Sequence, residues 1–248
     1  MATNLLLAIT TLLMALASAT CFSAEAIIKL EYDSWTLWYN CDRRGYEAFH
    51  YTTVPDTGEL ERYSSFHQEE KLLGRCRQTS TSPYSLPSGS DITYDRGHGV
   101  HQNIWDHDED RMKASNSMAN IVPQASRLNR WGAWRQTEKL TECWREHGTV
   151  EVWGGVVWGN DTSNDHFIQS HGVDTPDLLW KILRYPDGKI NAWLMPNDNT
   201  PSRDNVDNYL IHPDVIAALV EVSLPLNHNP GAIDTKVARE MPEGCSLK

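Results

Sequence analysis

The pattern of apolar and polar positions divides the chain into β-branched and aromatic runs, loop-rich stretches and stretches of helical period. Residues 26–41, AIIKLEYDSWTLWYNC, and 45–54, GYEAFHYTTV, are rich in β-branched and aromatic side chains. Pro55-Asp56-Thr57-Gly58 supplies a turn ahead of ELERYSSF at 59–66, and all three segments are expected to be antiparallel strands. QTSTSPYSLPSGSD at 78–91 is expected to be loop, and MANIVPQ at 118–124 a short apolar strand stopped by Pro123. From Ser126 to His147 the period becomes helical, with Leu128, Trp131, Trp134, Leu140 and Trp144 on one repeat and Gly148 placed to end it. TVEVWGGVVWG at 149–159 reads as a buried strand. DLLWKILRYPDGKINAWLMPN at 177–197 reads as a hairpin turning at Pro186-Asp187-Gly188. A last helix is expected in HPDVIAALVEV at 212–222, with Pro213 in its first turn. Antiparallel groups of strands with helices between them predict an α+β fold, a central antiparallel β-sheet flanked by helices, in place of a doubly wound parallel sheet.

Composition adds a cellular setting. The 248 residues, 40% hydrophobic and 22% charged, fit one folded domain without repeats or low-complexity tracts. The N-terminal run LLLAITTLLMALASA, followed by small residues, reads as a signal peptide cleaved after Ala19 or Ala24, leaving 25–248 as the mature domain. Its apolar core is shorter than the roughly 20 residues that span a bilayer, so no membrane attachment is expected after cleavage. Cleavage after Ala24 removes Cys21 and leaves Cys41, Cys76, Cys143 and Cys245, an even set suited to disulfides in a secreted or periplasmic protein, with three pairings open. No CxxC is present to hold zinc. The formal charge of −11 argues against a broad basic face for nucleic acid, though not against a local cleft that meets phosphate through a few arginines and a divalent cation.

Candidate chemistry concentrates between Thr93 and Glu138. TYDRGHGVHQN at 93–103 places an acid, a guanidinium, a glycine and two imidazoles in one short segment. Phosphodiester hydrolysis needs a base to deprotonate water, a cation to stabilise charge on the phosphate, and donors that grip it. His98 could be the base, Arg96 a donor, and Asn129 the oxygen ligand of a hydrated hard cation such as Mg²⁺, which keeps most of its waters. Gly97 would allow a close backbone approach. Alone, His98 would read as a loop histidine bonded to a carbonyl, Arg96 as an ion-pair partner of Asp95, and Asn120 and Asn129 as turn or cap residues; the combined pattern promotes them.

DRGH, then NIVPQASRLN and GAW ahead of a glutamate, resemble the DNA/RNA non-specific endonucleases of the ββα-metal (His-Me finger) superfamily. The likeness continues through VEVWGGVVWG and LLWKILRYPDGKINAWLMPN and spans roughly Tyr32 to Val222. DRGH followed about thirty residues later by Pro-Gln-x4-Asn is a specific signal. The resemblance implies a single domain with a ββα-metal motif and a Mg²⁺-dependent endonuclease, with Mn²⁺ as the alternative cation. It implies DNA and RNA as substrates and 5′-phosphate and 3′-hydroxyl products. It further implies His98 as general base, Asn129 as the direct metal ligand, Asn120 and Glu138 as groups steadying the metal's waters, and Arg96 and Arg62 as phosphate contacts. The chain would act as a monomer or homodimer.

Two departures bear on the site. Arg130 and Trp131 both stand where the family has one residue before Gly-x-Trp, and one inserted residue turns a helix by about 100°. Either a bulge absorbs it or Glu138 faces away from the metal. Where the family has an arginine one turn after that glutamate, this chain has Glu142, with Arg145 further on. The insertion after Asn129 and the net acidity motivate an alternative, a non-catalytic secreted relative that serves as a nucleic-acid-binding or adhesion module; a phosphodiesterase for small or lipid phosphates is a third reading. Trp131 is expected to reach the cleft, and the other tryptophans to fill the core. His101, His107 and DHDED at 106–110 read as a solvated acidic helix start in preference to a second metal site.

Overall fold

The computed structural model describes residues 27–224 and 230–245, so the expected signal segment lies outside the described residues. Its frame is a six-stranded antiparallel sheet of order β1-β2-β3-β6-β7-β8. The strands are β1 (Ile27–Glu31), β2 (Trp35–Asn40), β3 (Gly45–Thr52), β6 (Glu151–Val157), β7 (Leu178–Arg184) and β8 (Ile190–Pro196). A separate two-stranded ribbon pairs β4 (Tyr94–His98) with β5 (Ile121–Ala125). Five α-helices are described: α1 (Glu109–Ser115), α2 (Ser126–Arg130), α3 (Ala133–Trp144), α4 (Ile168–His171) and α5 (Pro213–Leu219).

Both faces of the large sheet are covered, which is why its strands are apolar at successive positions. On one face Phe49, Val152, Leu179, Leu183 and Trp193 pack with Trp134 and Leu140 of α3 and with Ile121 and Val122 of β5. On the other, Trp153, Trp180, Ile182 and Ala192 pack beneath Ile216 of α5. The residues alternate by period two between these layers, so the ribbon and α3 share one face of the sheet. The tryptophans mostly fill the core as expected: Trp105, Trp134, Trp153, Trp180 and Trp193 are wholly buried.

Several expectations change. ELERYSSF is not a strand: the Tyr63 N–H donates to Gln102 Oε1 at 2.9 Å, Gln102 Nε2 donates to the Tyr63 carbonyl at 3.0 Å, and the Leu60 N–H donates to the Asp106 carbonyl. Its backbone polar groups are thus satisfied by the long β4–β5 connection. Gly58 permits this approach, because a Cβ there would collide with the Asp106 backbone. Pro123 does not stop its strand but lies inside β5, opposite Arg96. The outer edge of β5 is closed by one side chain: Asn197 Oδ1 accepts from the Ala125 N–H at 2.8 Å, and its Nδ2 donates to the carbonyls of Pro123 at 3.0 Å and Pro176 at 2.9 Å. A proline is tolerated at an edge where no amide donor is required.

The expected single helix from Ser126 to His147 is two, α2 and α3, broken at Trp131 and Gly132. A Cβ on Gly132 would meet the Pro201 carbonyl at 2.5 Å, so glycine lets the 201–203 segment lie against the break. The 106–110 run begins α1 with Asp108 capping the Arg111 N–H, and Glu109 and Asp110 fill the first turn. Among the described residues no cluster of three or more His, Cys, Asp or Glu is placed to hold a metal, and no helix is long and apolar enough to cross a membrane. The disulfides join Cys41 to Cys76 and Cys143 to Cys245.

Because Asn197 is the partner of three buried backbone groups, Asn197→Ala should cost roughly 3 kcal/mol, read as a lower urea midpoint at unchanged m-value. A loss under about 0.5 kcal/mol would show that β5 does not depend on this clamp.

Candidate active site

A cleft of about 850 Å³ opens where the ribbon meets α2 and α3. His98, Arg96, Arg62, Asn129 and Glu138 all line it, although the chain brings them from β4, the 53–66 coil, α2 and α3. The extra residue at Arg130-Trp131 is absorbed at the break between the helices, which leaves Glu138 in the cleft with Asn129. The departure behind the non-catalytic alternative therefore does not separate these two groups.

His98 ends β4 and is nearly buried. Its Nε2 lies 2.8 Å from Asn116 Oδ1. Asn116 Nδ2 donates to the carbonyls of Tyr63 and Ser65, and Asn116 Oδ1 also accepts from Gln102 Nε2, so that oxygen is an acceptor. The His98 proton must then sit on Nε2, leaving the lone pair on Nδ1. Burial pushes the imidazole down to about 4, helped by the Arg62 charge; the Asn116 bond and the Glu138 charge act the other way. At neutral pH His98 is an uncharged ring able to accept a proton at Nδ1.

Asp95, three residues before His98, holds α2. It accepts from Ser126 Oγ at 2.9 Å, from Asn129 Nδ2 at 2.9 Å, and from Arg130 Nε at 2.8 Å together with Arg130 Nη2. Burial acts to raise the Asp95 carboxyl, but the bonds from Arg130, Asn129 and Ser126 outweigh it and hold the group below its usual range. Fixing Nδ2 on this carboxylate assigns the orientation of the Asn129 amide and leaves Oδ1 as the oxygen available to a cation. Asp95 thus pairs with Arg130, not Arg96.

Arg96 Nη1 donates to the Thr81 carbonyl at 2.7 Å, and its guanidinium lies over the Phe66 ring at 3.7 Å. The 78–91 loop therefore aims a cleft cation. Arg62 is exposed on the cleft wall. Gly97 serves a strand position and not a turn: a Cβ there would strike the buried Gln124 side chain.

Two expected residues, Asn120 and Trp131, lie outside the cleft lining, as does Arg145. Asn120 is fully buried and does not line the cleft; its Oδ1 accepts from the Val100 N–H, and its Nδ2 donates to the carbonyls of Val100 and Ser115. These bonds clip the β4–β5 connection together, and the structure places Asn120 one layer behind the cleft lining in which it was expected. Trp131 does not reach this cleft and is 69% exposed outside it. Arg145 is buried away from the cleft, its Nη2 2.6 Å from Asp56 Oδ2. The cation that stands with Glu138 is instead Arg135, whose Nη1 donates to Glu138 Oε2 at 3.1 Å and Glu142 Oε1 at 3.0 Å.

Sequence reasoning passed over Asn116, Arg135 and the part of Asp95 in orienting Asn129. Asn116 follows α1 and reads as an ordinary helix end, with no local sign of its histidine partner. Arg135, three residues before Glu138 on the same helix, was recoverable from spacing.

The family model described as DNA/RNA non-specific endonuclease matches residues 22–227. Among solved structures, the chain is similar to one in the EndoG/EndoGI complex, which concerns the mechanism of EndoG inhibition. The TM-score is 0.63 at 17% identity, covering 77% of this chain and 82% of that one. At that identity the likeness establishes the fold. No curated protein sequence matches the chain.

By NMR of the ring nitrogens, His98 should titrate near pH 4 in the folded protein, against an ordinary value near 6.5. Since the unfolded chain takes up the proton more readily, the stability owed to neutral His98 is present above about pH 6.5 and is lost toward pH 4, roughly 3 kcal/mol in all. A midpoint at 6.5 would overturn the assignment of a buried neutral ring.

Proposed function

The chain belongs to the DNA/RNA non-specific endonuclease family, and from that premise we propose that it is an exported, divalent-cation-dependent endonuclease cutting DNA and RNA with little sequence preference. What carries this reading is one cleft in which a neutral imidazole with its lone pair on Nδ1 meets an amide oxygen left uncommitted by its own carboxylate anchor. His98 Nδ1 takes a proton from the water that attacks phosphorus. Asn116 keeps the other ring nitrogen protonated, and so keeps Nδ1 as the acceptor. Arg96, braced on Phe66 and Thr81, and Arg62 hold the phosphate oxygens. Such contacts read backbone and not base, which accounts for broad substrate use.

The donor set fits a hydrated, oxygen-seeking cation, Mg²⁺ first and Mn²⁺ as the alternative. Asn129 offers a neutral oxygen and Glu138 a carboxylate, with no cage of three acids or histidines among the described residues. When bound there, the cation supplies positive charge against the phosphate oxygens and the departing oxygen. The products are a 5′-phosphate and a 3′-hydroxyl. Export is supported by the two disulfides, which persist in oxidising compartments.

Purified protein should degrade plasmid DNA and RNA with Mg²⁺ and stop with EDTA. His98→Ala should lower kcat by about 10²–10⁴ at unchanged fold; undiminished cleavage by that variant would refute the base. Asp95→Asn should raise the half-saturating Mg²⁺ concentration by about tenfold or more, since it frees the Asn129 amide to rotate. An unchanged Mg²⁺ titration would sever Asp95 from the cation.

A further inference from the structure

Beside the catalytic cleft, sharing Arg130 and Arg135 with it, runs a second groove of about 350 Å³. α2 contributes Arg127, α3 contributes Lys139, the helix break contributes Trp131, and the segment after β8 contributes Arg203. The chain as a whole carries −11, yet this groove gathers those five cations against Asp204 alone. Arg130 and Arg135 are engaged by Asp95, Glu138 and Glu142, and Arg203 by Asp204. Arg127 and Lys139 have no ion pair among the described residues. Trp131 is 69% exposed although the chain buries five other tryptophans completely, so its ring adds little to the core, and the Arg130 guanidinium lies over it at 5.8 Å.

The groove is held in shape. The Ala133 N–H donates to the Pro201 carbonyl at 3.3 Å, and Gly132 bridges Ser202. Ser202 and Asn205 close a reciprocal cap that fixes the backbone at Arg203.

Resting on the endonuclease reading above, we propose that this groove is a substrate subsite for the single strand that runs on from the cleft. One base stacks on the Trp131 indole, and the flanking phosphates meet Arg127 and Lys139. An exposed ring beside unpaired cations, continuous with a phosphate-directed cleft, has the two elements by which single-stranded nucleic acid is held without regard to sequence. A base within a duplex is already stacked and does not present its face, so the subsite discriminates in favour of unpaired strands.

The test is fluorescence anisotropy with fluorescein-labelled dT12 in EDTA, where binding is read without cleavage. Trp131→Ala should weaken Kd about tenfold, and Trp131→Phe should restore most of the loss. The double variant Arg127→Ala/Lys139→Ala should flatten the dependence of log Kd on log salt by about 1.4, roughly 0.7 per lost phosphate contact. Duplex DNA of equal length should lose less than twofold with Trp131→Ala, and hydrolysis of bis(p-nitrophenyl) phosphate, too small to reach the groove, should proceed at the wild-type rate. Unchanged dT12 affinity in Trp131→Ala would overturn the subsite, as would an equal loss on the small diester. Failure of the parent reading looks different: the wild type would then leave plasmid DNA and RNA uncut with Mg²⁺, a result read independently of dT12 affinity.

Discussion

A single carboxylate joins the two halves of the site. Asp95 lies on β4, and the groups it accepts from, Ser126, Asn129 and Arg130, occupy one face of α2 at spacings of three and four. A short helix of five residues has little stability of its own. Its position relative to His98 therefore depends on this anchor and on the β5 backbone that runs directly into it. The same carboxylate takes the amide hydrogens of Asn129, so docking the helix and orienting its oxygen are one event. Arg130 offsets the burial cost of the Asp95 charge, which is why the acid stays ionised in a partly buried place.

Along the cleft wall a layer of paired charge fixes Glu138. Arg135 spans Glu138 and Glu142, and Glu142 Oε1 lies 3.5 Å from His101 Nε2. Burial acts to raise the Glu142 carboxyl, but His101 and Arg135 outweigh it and bring the group down to about 2. Below them the Lys181 ammonium sits 3.6 Å over the Trp134 ring, pushed down to about 8 by burial. Carboxylates and cations alternate through this layer, whereas His98 is kept neutral a few residues away. Such separation leaves one imidazole with a free lone pair beside the ion-paired Arg135 and Glu142.

Much of this was legible in sequence because it is local. Runs of β-branched, aromatic and apolar residues located β1, β2, β3, β6 and the β7–β8 hairpin, and the residues around His98 and Asn129 marked the cleft. What sequence did not convey are pairings between distant segments. The 59–66 coil fails as a strand because its amides bond to Gln102 and Asp106, some forty residues on. Pro123 sits within β5 because Asn197, far along the chain, supplies the edge contact. Asn120 and Asn116 are the same residue type four positions apart, yet one fastens a loop and the other holds the His98 ring; only the fold distinguishes them. Trp131 satisfied the helical period and still ended outside the core, because Gly132 yields to the Pro201 carbonyl and the helix restarts in a new phase.

The net acidity of the chain and the proposed role of its cleft are compatible once distance is considered. At physiological ionic strength charges further than about 8–10 Å are largely screened, so the distributed acids govern how a polyanion approaches while the few cations in contact govern whether it stays. Arg96 and Arg62 line the cleft and Arg127 and Lys139 the groove beside it, the positions from which they would meet a strand on the proposed reading. Seven of the 22 lysines and arginines line these two adjoining grooves, while the excess of acids over the rest of the chain keeps the overall balance negative. The same charge distribution that argues against a tight, general nucleic-acid binder therefore suits an enzyme that must release what it has cut.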